Sequence, residues 1–102
     1  VWALLGSSLA FANDDATLRG RVVDVATGRP LAGVQITLST RDGNRQVVRT
    51  DASGEYAIRD LPEGLYDIAA EYAGFVRAVA PRARAVAKAA TTVDFALQSV
   101  PD

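Results

Sequence analysis

The sequence contains no cysteine, no histidine and no methionine. The first two absences each close a class of chemistry. Without cysteine there is no disulfide, thiol nucleophile or thiolate ligand, and without histidine there is no imidazole acid–base catalyst and no common zinc ligand. A Ser-His-Asp triad cannot be assembled, and no serine stands in a Gly-x-Ser-x-Gly turn. Stability must come from packing and hydrogen bonding, and no cofactor is expected. An excess of one charge is also lacking: 11 basic residues against 12 acidic ones leave a net charge of −1. No long-range field therefore draws nucleic acid or an anionic membrane. An open reading frame normally begins with methionine, so the chain is expected to be a piece of a longer protein. Its 102 residues are enough for one domain with one core.

What is present begins with an uncharged, mostly apolar stretch at residues 1–12, closed by Ala10-Phe11-Ala12. The small-x-small ending is what a signal peptidase reads, so the stretch is expected to be the h-region and cleavage site of an export signal without its basic n-region. An N-terminal strand or core helix is the alternative; a membrane span would need about 20 apolar residues. Under the export reading the mature chain begins near Asn13, Trp2 is lost, and residues 13–16 form a polar lead-in.

From residue 17 onward period-two alternation dominates. Residues 17–24 place Leu18, Gly20 and Val22 on one face, with Gly20 allowing close approach of a neighbour. Residues 26–30 form a turn in which Gly28 supplies positive φ and Pro30 blocks pairing. Residues 33–40 alternate cleanly, with Val34, Ile36 and Leu38 inward. A polar Asp-Gly loop at 41–45 leads into a third strand at 46–50. Asp51-Ala52-Ser53-Gly54 is a type I turn closed by a positive-φ glycine, with the Asp51 side chain capping backbone N–H groups. Tyr56 and Ile58, and after Pro62-Glu63-Gly64 also Tyr66 and Ile68, fill the core. Residues 91–98 read as a closing strand with Val93, Phe95 and Leu97 inward, and 99–102 as the start of a linker.

Residues 76–90 are ambiguous. Val76, Val79, Ala83, Val86 and Ala90 fall at helical spacing, while Ala83, Ala85 and Ala87 alternate against Arg84 and Val86 as in a strand. Pro81 opposes a single long helix, and an irregular strand is the expectation. The whole pattern predicts an all-β chain, a seven-stranded antiparallel sandwich of Greek-key type.

The runs Gly20-Arg21-Val22-Val23-Asp24, Thr27-Gly28-Arg29-Pro30-Leu31-Ala32-Gly33-Val34, Thr50-Asp51-Ala52-Ser53-Gly54-Glu55-Tyr56, Leu61-Pro62-Glu63-Gly64-Leu65-Tyr66 and Gly74-Phe75 resemble the carboxypeptidase regulatory-like family over residues 17–98. The resemblance implies a transthyretin-like sandwich and a non-catalytic accessory role. Such domains stand behind metallocarboxypeptidase domains, in surface proteins, and at the N-terminus of TonB-dependent outer-membrane receptors. An export signal directly before the domain looks most like the receptor arrangement. It implies a location in the bacterial periplasm or outer membrane, with other domains of a larger envelope protein as partners.

Hydroxyisourate hydrolases use the transthyretin-like fold, yet their sites need histidines, and their C-terminal Tyr-Arg-Gly-Ser is replaced here by Ser99-Val100-Pro101-Asp102. Lys–Asn isopeptide crosslinks of collagen-adhesin repeats would have to use Lys88, the only lysine and late in the chain, while Asn44 lies in a loop, so the required core geometry is not expected. Asp51, Ser53 and Glu55 suggest a calcium loop, but the Asp-x-Asp-x-Asp-Gly spacing is absent, so they read as a turn. A small secreted carbohydrate- or peptide-binding module is the alternative function; sugar binding calls for an exposed aromatic platform, for which Tyr72 and Phe75 are the candidates against a packing role. Arg77, Arg82, Arg84 and Lys88 form a local basic segment, either a solvated strand face or a contact for an acidic surface or lipid headgroups.

Overall fold

In the computed structural model, residues 15–40 and 43–100 are described. The proposed signal at 1–12, residues 13 and 14 of the lead-in, residues 41 and 42 of the Asp-Gly loop and residues 101 and 102 of the linker lie outside them. The strands are β1 (Ala16–Asp24), β2 (Gln35–Ser39), β3 (Arg45–Arg49), β4 (Glu55–Leu61), β5 (Gly64–Glu71), β6 (Ala78–Ala85), β7 (Ala90–Thr92) and β8 (Phe95–Leu97). Alternation decides which side chains go in. Leu18 and Val22 of β1, Ile36 and Leu38 of β2, Tyr56 and Ile58 of β4 and Tyr66 and Ile68 of β5 are all buried, and their in-between neighbours face solvent or the sheet exterior.

Two four-stranded sheets enclose this core. One runs β3-β2-β5-β6, antiparallel throughout. In the other, β1 is central, with β4 antiparallel on one side and β7 and then β8 along its other side, both parallel to it. Eight strands therefore replace the expected seven, and the antiparallel expectation fails at β7 and β8. Hairpin order governs only strands joined by a tight turn within one sheet. Here the turn after β6, closed by the Ala89 N–H to Val86 O bond of 3.1 Å, carries the chain into the opposite sheet and beside β1.

The closing strand splits where one ladder bond is replaced, although the Val93 N–H still donates to Arg19 O at 2.7 Å. Val93 O crosses over Gly20, where an added Cβ would fall 1.7 Å from it. The Tyr56 hydroxyl donates to the same carbonyl at 2.5 Å. Asp94 Oδ1 accepts the Arg21 N–H at 2.8 Å in place of a main-chain carbonyl. Gly20 is thus the close-approach position its place in the strand suggested.

Residues 78–85 are strand, with no helix. Alanine's helical advantage of at most about 1 kcal/mol per residue over other types yields to a ladder with β5 that runs from Ala70↔Ala78 to Gly64↔Ala85. Pro81 lacks an N–H and Arg82 sits at φ 59°, so a helix cannot pass through them. The two residues form a bulge opposite Asp67, whose Oδ1 accepts the Arg82 N–H at 3.0 Å.

Candidate functional site

The turns that look chemically richest in the sequence are occupied with structure. Asp51 Oδ1 accepts the N–H groups of Ser53 at 2.9 Å and Glu55 at 3.0 Å, which commits its carboxylate to the turn. Gly54 takes φ +76°, and a Cβ there would meet Val22 O at 2.7 Å. Thr50, a buried polar side chain the sequence did not mark out, accepts the Val34 N–H at 2.9 Å and donates to Leu31 O at 2.6 Å. It joins the approach to β2 to the end of β3. The Tyr66 hydroxyl donates to Pro62 O at 2.5 Å.

The proton affinity of Tyr56 is strongly displaced. Burial, and then the negative charge of Asp94, push its phenol well above the usual tyrosine range. A phenol held protonated against a backbone carbonyl serves packing and has no proton to give at neutral pH. Around it the outer face of the β4-β1-β7 sheet carries Arg19, Arg21 and Arg59 interleaved with Glu55, Asp94 and Asp51, so the charges balance. Among the described residues no group of three or more His, Cys, Asp or Glu side chains is placed to hold a metal ion, and no helix is long and apolar enough to cross a membrane.

The outer face of the β3-β2-β5-β6 sheet is different. Its middle row runs Val47, Thr37, Ala69, Val79 across the four strands, and Val47 and Val79 are 53% and 46% exposed. One flanking row holds Arg49, Gln35 and Glu71, and the other Arg45, Ser39 and Asp67. Arg77 adds to the first of these through an ion pair with Glu71 at 3.5 Å, both side chains about half exposed, a pair worth little by itself. Arg84, opposite Leu65, extends the far end. An apolar stripe rimmed by arginine is the usual composition of a protein contact.

The six candidate residues fall into three places. Tyr72 and Phe75 stack at one corner of this face, ring centroids 5.7 Å apart at 37°, and with Arg77, Gln35 and Arg49 they line an open groove. Phe75 is half-buried and bridges to Ser99, so packing holds it, while Tyr72 is 38% exposed. Arg82 and Arg84 lie along β6, Arg82 within the bulge. Lys88 takes φ 59° in the turn between β6 and β7, a turn residue first. Arg45, Val47 and Arg49 belong to the same face as Arg77 and were not singled out in the sequence; their own alternation was the available signal.

A family model described as the carboxypeptidase regulatory-like domain matches residues 17–98. Among curated proteins, the TonB-dependent transporter Oar of Myxococcus xanthus is 39% identical over 66 residues, which is 64% of this chain and 6% of that protein's length. Of solved structures, the Bacillus anthracis TIE protein superposes with a TM-score of 0.72 at 20% identity, over 84% of this chain and 17% of that one. Klebsiella pneumoniae 5-hydroxyisourate hydrolase superposes with a TM-score of 0.66 at 24% identity, over 84% and 92%. At such identities the two structures establish the fold alone, a transthyretin-like sandwich.

Proposed function

The chain belongs to the carboxypeptidase regulatory-like domain family, and from that premise we propose that it is a non-catalytic accessory domain of a larger cell-envelope protein of the TonB-dependent transporter type. It acts there through protein–protein contact or as a spacer, in the periplasm or at the outer membrane. The observation that carries the reading is the 39% identity to a stretch of the transporter Oar. The uncharged segment ending in Ala10-Phe11-Ala12 supports export, with a mature N-terminus near Asn13. A non-catalytic role is supported by the lack of histidine and cysteine and by the structural engagement of Asp51 and Tyr56. The residues that make the family recognisable build turns and core, so contact falls to the exposed sheet face bearing Arg45, Val47, Arg49, Arg77 and Val79.

Sequencing the gene beyond the codon for Asp102 tests this. A continuous frame encoding a plug and a β-barrel is the expected result, and a stop codon directly after Asp102 would contradict it.

A further inference from the structure

Among the described residues the sandwich has four sheet edges, and three are shortened or interrupted as templates for an added strand. On β4 the Val22 N–H to Gly54 O bond of 2.8 Å sets the even-numbered backbone groups toward β1. Of the odd-numbered ones, Glu55 is engaged by Asp51 through both its N–H and its C=O, and Asp60 at φ 60° turns the strand after Arg59, so the outward run is cut to Ala57 and Arg59. On β6, Pro81 offers no N–H and the bulge at Arg82 breaks the line. The β7–β8 edge consists of two three-residue pieces interrupted at Val93 and Asp94.

The fourth edge is open. Asn44 O accepts the Thr40 N–H at 3.0 Å and Val34 O accepts the Thr50 N–H at 3.1 Å, so even-numbered backbone groups of this segment face β2. Alternation then points the N–H and C=O groups of Arg45, Val47 and Arg49 away from the sheet, along a five-residue strand that among the described residues pairs with β2 alone. The side chains of the same three residues lie on the arginine-rimmed face.

We infer that β3 accepts an extended acidic segment of a protein partner as an added strand, its pattern being acid-x-apolar-x-acid. Directly opposed residues on one face of an antiparallel pair interact most strongly. An acidic side chain then meets Arg49, an apolar one covers Val47 and a second acidic one meets Arg45. The same chemistry rejects a second copy of this chain: antiparallel self-pairing centred on Val47 sets Arg45 of one copy against Arg49 of the other, and like charges directly opposite destabilise a ladder. Backbone pairing supplies affinity and the alternate side chains supply the choice of partner. This deepens the protein-contact reading above and rests on it only in requiring a protein partner. Peptide binding can fail while the gene still encodes a transporter, and the gene can end at Asp102 while the edge still binds.

The test is an amide NMR titration of the 102-residue chain with the blocked peptide Thr-Glu-Thr-Val-Thr-Glu-Thr, beside its counterpart with arginine in place of glutamate. Shifts at Arg45, Val47 and Arg49 and a Kd below about 1 mM for the acidic peptide alone are expected. The double variant Arg45→Glu/Arg49→Glu is expected to lose at least tenfold toward it and to turn to the arginine peptide. Val47→Pro removes an outward N–H and no ladder bond to β2, so binding is lost while the chain stays folded, as retained amide shifts of β1, β2 and β5 would show. No shift at millimolar peptide, shifts centred elsewhere, or binding that survives Val47→Pro would overturn the inference. So would binding to phosphatidylglycerol vesicles that survives Val47→Pro and is abolished by the double variant, since the face would then be a lipid contact.

Discussion

Tyr56 is 4% exposed with its hydroxyl on Val93 O, and its raised proton affinity gives stability a definite pH dependence. In the unfolded chain the group titrates near pH 10, while in the folded chain it keeps its proton to higher pH. Above about pH 10 the unfolded state therefore binds fewer protons than the native one, and stability falls as pH rises; below that range the contribution is complete. Urea unfolding between pH 7 and 11 is expected to show this fall in the parent chain and a smaller one in Tyr56→Phe. At pH 7 the variant loses about 1 kcal/mol because Val93 O loses its donor. An identical alkaline decline in both would contradict the account. The inward direction of Tyr56 was legible in the alternation of residues 55–59, but the partner of its hydroxyl was not, since Val93 is 37 positions away and no local pattern connects them. Thr50 was illegible for a similar reason: a threonine at a strand end reads as surface until the approach to β2 folds over it.

At the scale of elements, the strands whose neighbours follow in sequence were readable. The Asp51–Gly54 and Pro62–Gly64 turns fixed β4 and β5, and β2 announced itself by unbroken alternation of Val34, Ile36 and Leu38. The closing strand read as continuous because Val93, Phe95 and Leu97 alternate perfectly. Its division into β7 and β8 comes from tertiary partners, Gly20, Tyr56 and Arg21, reaching for Val93 and Asp94. Gly20→Ala tests that division. A methyl group placed where Val93 O stands forces the backbone of the β7–β8 junction outward, at a cost of about 3 kcal/mol. Urea unfolding is the measurement, and amide exchange should show the loss of protection concentrated at Val93 and Arg21. A change below about 0.5 kcal/mol would mean the crossing is not close. Residues 78–85 became strand against alanine's preference because Pro81 and the left-handed Arg82 forbid a helix where β5 offers a ladder.

Over the whole molecule, a net charge of −1 conceals an uneven distribution. Arg45, Arg49, Arg77, Arg82 and Arg84 stand with Glu71 and Asp67 on or beside one sheet, while the outer face of the other is balanced. The sequence exposed half of this arrangement, the arginines of residues 77–84, because they are adjacent in the chain. It hid Arg45 and Arg49, which arrive beside them only because β2 and β5 lie between β3 and β6. The identity of the family was legible for a physical reason: its turns demand particular glycines, prolines and aspartates at fixed spacing, whereas a contact face demands only composition. Under the proposed function, this sandwich is one exported domain of a larger envelope protein. An immunoblot of fractionated cells of the native organism with an antibody raised against the sandwich tests it most directly. Reactivity is expected in the outer-membrane fraction, on a polypeptide many times larger than a 102-residue chain. A band of about this chain's own size in the cytosolic fraction would contradict it.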